Sequence, residues 1–263
     1  MELTGRPSGA PPLPALALAI ALGFALAAPA DAAIKLPSYI KTCSRNDPNL
    51  NECALKNGKA AIPYLLPGDP KIKLPSLNPL RVQEVRVDQE GSVGLNLLLR
   101  DLDIVGLGDG DLRSVRFDPK QLVLDVHLFV PRLQLLGKYN ISGRILIIPI
   151  HGKGDANITL DNVPLNYTLR FAMEARKGKE YLKVVDKKIA FDASQAHFIF
   201  ENLFDGDERL RANVRRVVNE NWRQVIEDIG PPVVSAIGEV VTQLLKGFVT
   251  AVPYAEIFPD TPA

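Results

Sequence analysis

Between Leu80 and Phe200 apolar residues alternate with polar ones among Gly, Asp and Pro punctuation, and this period of two specifies strands. Leu95, Leu97 and Leu99 alternate with Asn96 and Arg100, while Leu122, Leu124, Val126, Leu128 and Val130 oppose Asp125 and His127. The connections GLGDGD (106–111), FDPK (117–120) and EARKGKE (174–180) are too short for helical crossovers. Consecutive strands are therefore expected to pair as antiparallel neighbours. Pro131, Gly137 and Pro149 fall in or beside apolar runs, where they would kink a strand and curve the sheet. In RILIIPI (144–150) both alternations are apolar, which points to burial on both sides or to a bulge.

The C-terminal quarter changes period. Asp205 with Glu208 resembles a capping box, and from Leu210 the residues Val214, Val217, Trp222, Val225 and Ile229 keep helical spacing. Gly230-Pro231-Pro232 predicts a break or kink, because proline lacks the helical donor and crowds the preceding turn. Beyond it, residues 233–252 are apolar around most of a helix, with only Ser235, Glu239, Thr242, Gln243 and Lys246 polar. Such a helix is expected to be enclosed by the rest of the chain. It would run roughly 30 Å, yet Glu239 and Lys246 lie inside it and argue against a membrane span in the mature chain. The expected fold is α+β: a strongly curved antiparallel sheet wrapped round a long C-terminal helix. Alternation is met equally by a filled core and by a hollow tunnel.

The N-terminus sets the compartment. After Arg6 the stretch Leu13–Ala33 is uncharged until Asp31 and ends among small residues, as a signal peptide does. Cleavage is expected near 30–33, leaving one domain over 34–260 and a tail at 261–263. Removal of the leader leaves 30 basic and 28 acidic residues. With charges interspersed and aromatics few, no nucleic-acid footprint is present. Three sequons, at Asn140, Asn157 and Asn166, fit secretion and glycosylation. In a strand each Asn shares a face with its Ser or Thr, so the neighbouring Tyr139, Ile141, Ile158, Leu160, Leu165, Tyr167, Leu169 and Phe171 face the other way, towards a greasy interior.

Cys43 and Cys53 are the only cysteines. Their spacing suits neither a metal site nor a CxxC redox pair, and an oxidising compartment makes a local disulfide the expected state. Closing that loop is worth about 2.8 kcal/mol in the chain-entropy description, enough to clasp an otherwise fraying terminus and stiffen one end of a tunnel. GxSxG and HExxH are absent, and His127, His151 and His197 lie far apart in sequence, so neither an enzyme nor a metal centre is expected, and no cofactor. GLGDGD reads as a tight turn.

The segments LFDGDERLRANVRRVVNENWRQV (203–225) and VPYAEIFPD (252–260) closely resemble the juvenile hormone-binding and takeout family of secreted insect proteins, nearer its takeout branch. KLPSYIKTCSRNDPNLNECALKNG, PSLNPLRVQEV, VRFDPK and LLGKYNISGRILIIPIHGKGDANITL extend the likeness over nearly the whole mature chain. Ala255 departs from the acidic residue usual after PY in takeout members. The resemblance implies a long helix wrapped by a curved sheet, an internal hydrophobic tunnel, and carriage of a terpenoid, fatty acid or other lipid tied to circadian, feeding or chemosensory physiology. The expected tunnel then takes Leu124, Val126, Leu128, Tyr139, Ile141, Ile158, Leu160, Leu165, Tyr167, Leu169 and Phe171 from strands, with Trp222, Val241, Leu244 and Phe248 from the helix. The hydroxyls of Tyr139 and Tyr167 are candidate hooks for a ligand oxygen, and Trp222 is expected chiefly to pack helix on sheet. The expected partner is a small hydrophobic ligand bound by a monomer, with a receptor as a further partner. The competing reading is a secreted interaction protein whose tunnel is collapsed.

Overall fold

The computed structural model describes residues 35–89, 94–146 and 148–261. The expected leader and its cleavage region lie outside the described residues, as do the last two residues of the tail. The element order is helix α1 (Leu50–Leu65), strands β1 (Leu80–Gln89), β2 (Leu95–Val105), β3 (Asp111–Asp118), β4 (Val123–Ile145), β5 (Ile148–Arg176), β6 (Lys179–Phe191) and β7 (Gln195–Phe200), then helices α2 (Glu208–Glu220), α3 (Trp222–Val249) and α4 (Tyr254–Ile257).

The spine of the antiparallel sheet is the β4–β5 pair, in continuous register from Val123↔Arg170 to Ile145↔Ile148. These strands have 23 and 29 residues, so each carries two shorter strands end to end on its free edge. Along β4 lie β2, itself flanked by β1, and then β3; along β5 lie β7 and then β6. The pairs β1–β2, β3–β4, β4–β5 and β5–β6 are antiparallel neighbours as expected, whereas β2–β3 and β6–β7 correct that expectation, because β2 and β3 both bind β4 and β6 and β7 both bind β5. GLGDGD is the bridging turn between β2 and β3, with a short 3-10 segment over Leu107–Asp109. RILIIPI is no doubly buried strand. It is the β4–β5 hairpin tip, turning at Leu146 with φ +55°, with Ile145 and Ile150 buried on its flanks.

Two devices curve the sheet. Gly137 lies where the β2–β4 register shifts between Arg100 and Asp103, and a Cβ there would stand 2.7 Å from the Arg100 carbonyl oxygen. Only glycine permits that approach. The second device lies where Pro131 and Asn162 (φ +49°) fall between the pairs Val130↔Val163 and Arg132↔Asp161. Val130 and Val163 are buried on one side of this point, Leu133 and Leu160 on the other. The inward face thus changes parity in both strands at once, which is how a long ladder turns a corner.

The helices differ from expectation in three respects. Asp207, not Asp205, caps α2, accepting from the Arg209 and Leu210 amides at 3.0 Å each; Asp205 occupies the preceding turn at φ +53°. The helical interruption falls at Asn221 (φ −108°, ψ 29°), while α3 continues through Gly230-Pro231-Pro232. The prolines forgo bonds to the carbonyls of Glu227 and Asp228, whose exposed positions let water take their place. Third, α3 is not enclosed. It touches both outer strands, β1 and β6, and so fills the gap between the edges of the curled sheet. Gln224, Asp228, Pro231, Ser235, Glu239 and Gln243 form an exposed stripe along it, whereas Val225, Gly230, Gly238, Thr242 and Val249 are buried. Against β6 the helix seats on its glycines: a Cβ on Gly230 would lie 2.8 Å from the Phe191 ring and one on Gly238 2.0 Å from Ile189 Cδ1. By length and hydropathy α3 could span a bilayer; it carries a polar stripe and packs against β1 and β6.

The apolar interior divides in two. A larger cluster fills the space between β1, β2, β4, β5, β7, α2 and α3 as far as Leu244. A smaller one, around Leu50, Phe117, Leu169, Phe171 and Leu182, is closed by α1, α4 and the last turns of α3.

Candidate functional site

Within the larger cluster lies a cavity of about 90 Å³ whose wall contains only apolar side chains and Gly230. The parity rule selects its strand residues. From β4 come Leu133, Leu135, Ile141 and Ile145, and from β5 come Ile158 and Leu160 before the corner and Val163 and Leu165 after it. Phe198 and Phe200 of β7 and Val218 of α2 close one side. The opposite wall is α3, from Val225 to Ile237 at helical spacing. With no polar side chain in the wall, the space can hold an apolar group by dispersion and by removal of its surface from water.

Four of the expected tunnel residues meet at this cavity: Ile141, Ile158, Leu160 and Leu165. Leu128, Tyr139, Trp222, Val241 and Leu244 belong to the same cluster without lining the void. Leu124, Tyr167, Leu169, Phe171 and Phe248 belong to the smaller cluster. Val126 is half-buried and joins neither. Residues not singled out in the sequence supply most of the wall: Leu133 and Leu135 and the HFIF alternation of β7 carried the same signal, but Val218 and Ile226 could be placed only once α2 and α3 were.

Both tyrosine hydroxyls are bonded to protein. Tyr139 is 3 % exposed, its hydroxyl donates to the Glu201 carbonyl oxygen at 2.6 Å, and its ring tilts against Phe200. Burial, with the Glu201 charge adding to it, pushes its pKa up to about 12. The Tyr167 hydroxyl lies 2.6 Å from Thr242 Oγ1. Trp222 packs against the larger cluster, with the Arg223 guanidinium over its ring.

At the far end, Cys43 and Cys53 form the disulfide. Next to it Ser44 donates to the Asp260 carbonyl oxygen and Arg45 to its carboxylate, both at 2.6 Å. Phe258 stacks on Phe117 at 4.2 Å, so the clasp joins both chain ends over the smaller cluster. Asn140 and Asn166 are exposed and Asn157 is half-buried. His151 and His197 face different aspartates, Asp205 and Asp161, both at 3.9 Å. Among the described residues no group of three metal-ligating side chains converges.

The family model for haemolymph juvenile hormone binding protein (JHBP) matches residues 17–259. Circadian clock-controlled protein daywake of Drosophila yakuba is 26 % identical over 237 residues, covering 87 % of this chain and 90 % of that protein. The daywake protein of Drosophila melanogaster matches with the same identity and coverage. The crystal structure of Takeout 1 from Epiphyas postvittana superposes with a TM-score of 0.74 at 27 % identity, covering 84 % of this chain and all of that one. By the extent of that family match, and with a curled sheet and long helix shared with Takeout 1, the chain belongs to the JHBP and takeout family, whose members bind lipophilic ligands.

Proposed function

We propose that the chain is a secreted carrier of one small lipophile, a terpenoid, fatty acid or other lipid, held between the inner face of β4–β5 and α3. The observation that carries this reading is the wholly apolar wall of a cavity placed where helix meets sheet. Its leader would be cleaved near residues 30–33, its sequons would carry sugar on the outer face, and the protein would act as a monomer without catalysis. The name of the daywake relatives suggests a circadian setting, tested by following transcript level through a day. The carrier reading is tested by native purification, solvent extraction and mass spectrometry of the extract. A stoichiometric lipophile is expected; a consistently empty chain that also fails to take up an apolar fluorophore refutes it.

The second reading, an interaction protein with a collapsed interior, is favoured by the volume. About 90 Å³ is well below the roughly 300 Å³ at the lower end of small-molecule sites. Saturable one-to-one uptake of the fluorophore would remove that reading; capture of a protein partner by an empty chain would support it.

A further inference from the structure

On the solvent side of the cavity wall, a groove of about 550 Å³ runs between β7 and α2. His197 and Ile199 face it from the strand, and Arg211, Ala212, Arg215 and Arg216 from the helix. The same two elements give Phe198 and Val218 to the cavity, so they separate one space from the other. Arg211 is already held, donating to Glu208 at 2.5 and 2.6 Å and to Glu201 at 3.2 Å. Arg215 and Arg216 are exposed, and among the described residues their guanidinium groups have neither a hydrogen bond nor an ion pair. Arg211 and Arg215 stand one turn apart, a like-charge spacing that destabilises a free helix.

Asn219 fixes the floor. Its side-chain carbonyl accepts from the Phe198 amide at 2.9 Å, and its amide donates to the Phe198 carbonyl oxygen at 3.0 Å and to that of Arg215 at 2.8 Å. The backbone groups in the middle of the free β7 edge are thus occupied, so a partner cannot extend the sheet there. Recognition falls to side chains. A helix that enters a bilayer does so by its apolar face, and that face of α2, Val214 and Val218, is buried against the protein. A free anion would suit the guanidinium forks but leave Ile199 and Ala212 uncovered. From Glu208 to Asn219 the groove follows α2 for about 16 Å, the span of about five residues of extended chain. In such a chain carboxylates at alternate positions meet the arginines, and the side chains between them cover Ile199 and Ala212.

We propose that the groove between β7 and α2 is the docking site for an extended acidic segment of a protein partner, with Arg215 and Arg216 as its anchors. Each guanidinium takes a carboxylate through paired N–H bonds, and the like charges gathered on α2 are neutralised in the complex. Docking there does not require a filled cavity, so it stands or falls apart from the carrier reading.

The test is fluorescence anisotropy at about 0.15 M salt, where charges farther than about 8 Å are screened. The probe is a rhodamine-labelled peptide that alternates glutamate with leucine and is long enough to span the groove, compared with its glutamine counterpart. Saturable one-to-one binding of the glutamate peptide is expected, with the glutamine peptide about tenfold weaker or more. Arg215→Gln with Arg216→Gln should weaken the glutamate peptide about tenfold; if that pair does not fold, Arg216→Gln alone should weaken it about threefold. Lys120→Gln with Lys177→Gln removes the same charge from exposed turns outside the groove and should change affinity less than about twofold. Absence of saturable binding, equal affinity for the two peptides, or equal loss from the two charge-matched pairs overturns the proposal. Adsorption to phosphatidylserine vesicles that needs Arg215 and Arg216, without peptide binding, assigns the groove to a membrane and overturns it too. Displacement of the peptide by inorganic phosphate at equal concentration assigns it to a free anion, with the same consequence.

Discussion

Truncating Leu160 to alanine tests whether the cavity is closed and dry. Leu160 is 6 % exposed and forms part of the cavity wall. Loss of its three outer carbons removes about 2.4 kcal/mol of transfer free energy at about 0.8 kcal/mol per carbon. If the void grows by about 60 Å³, a further ~1.4 kcal/mol follows at about 24 cal/mol per Å³. Leu160→Ala is therefore expected to cost about 4 kcal/mol, read from the denaturant midpoint of delipidated protein at unchanged slope. The enlarged void, about 150 Å³, is of the size that admits benzene in an apolar protein interior. Benzene at a hundred times its dissociation constant would restore about 2.7 kcal/mol to the variant and much less to wild type. A cost below about 1 kcal/mol without selective rescue would mean that water already reaches Leu160, and the reasoning from a sealed apolar wall would fail.

Replacing both Cys43 and Cys53 by serine is expected to cost up to about 2.8 kcal/mol, with faster amide exchange confined to α1 and to residues 252–260, which Ser44 and Arg45 hold. If lipid affinity and release are also unchanged, the bond clasps the ends without gating the tunnel. Tyr139, with a folded pKa of about 12 against an ordinary 10, supplies stability that is complete below pH 10 and is lost as pH rises through 12, on the order of 2 kcal/mol. Tyr139→Phe should remove that alkaline step and cost about 1 kcal/mol at neutral pH through the lost bond to Glu201. An alkaline melting profile identical to wild type would contradict the assignment.

The period of two made the strands and their inward residues legible, including the change from Leu160 to Leu165 across the corner at Asn162. With the short connections it gave the hairpins β3–β4 and β5–β6, but not that β2 leaves β3, or β7 leaves β6, for a longer strand. That β2 and β3 share β4 follows from the length of β4, and the hairpin at Leu146 conceals that length because its turn residue is apolar rather than glycine. Helical spacing from Leu210 and the apolar run 233–252 made the C-terminal helices legible, but sequence placed their break at Gly230-Pro231-Pro232 instead of Asn221. Local proline chemistry is outweighed there by packing of Gly230 on Phe191 and by exposed carbonyl positions one turn earlier. The cavity wall was half legible for the same reason: strand alternation is local, whereas the meeting of β7, α2 and α3 depends on where the sheet edges end.

The exposed flank of α3 bears on the volume a ligand needs. From Val225 to Ile237 the helix backs the cavity over about 20 Å of axis and is about 10 Å wide. An outward shift of about 1 Å would add about 200 Å³ to the 90 Å³ present, reaching the roughly 300 Å³ of a small-molecule site. An enclosed helix would have to displace a second layer; this one has solvent along Ser235 and Glu239 and is held across that flank by the exposed Lys187–Glu239 ion pair. Exposed pairs contribute about 1 kcal/mol or less, so the shift opposes mainly the seating of Gly230 and Gly238 on β6. Loading should then slow amide exchange in residues 233–237, because a ligand fills the space into which the helix otherwise relaxes. Equal exchange in empty and loaded protein would place the added volume elsewhere, in rotation of Phe191, Phe198 and Phe200 within a fixed frame.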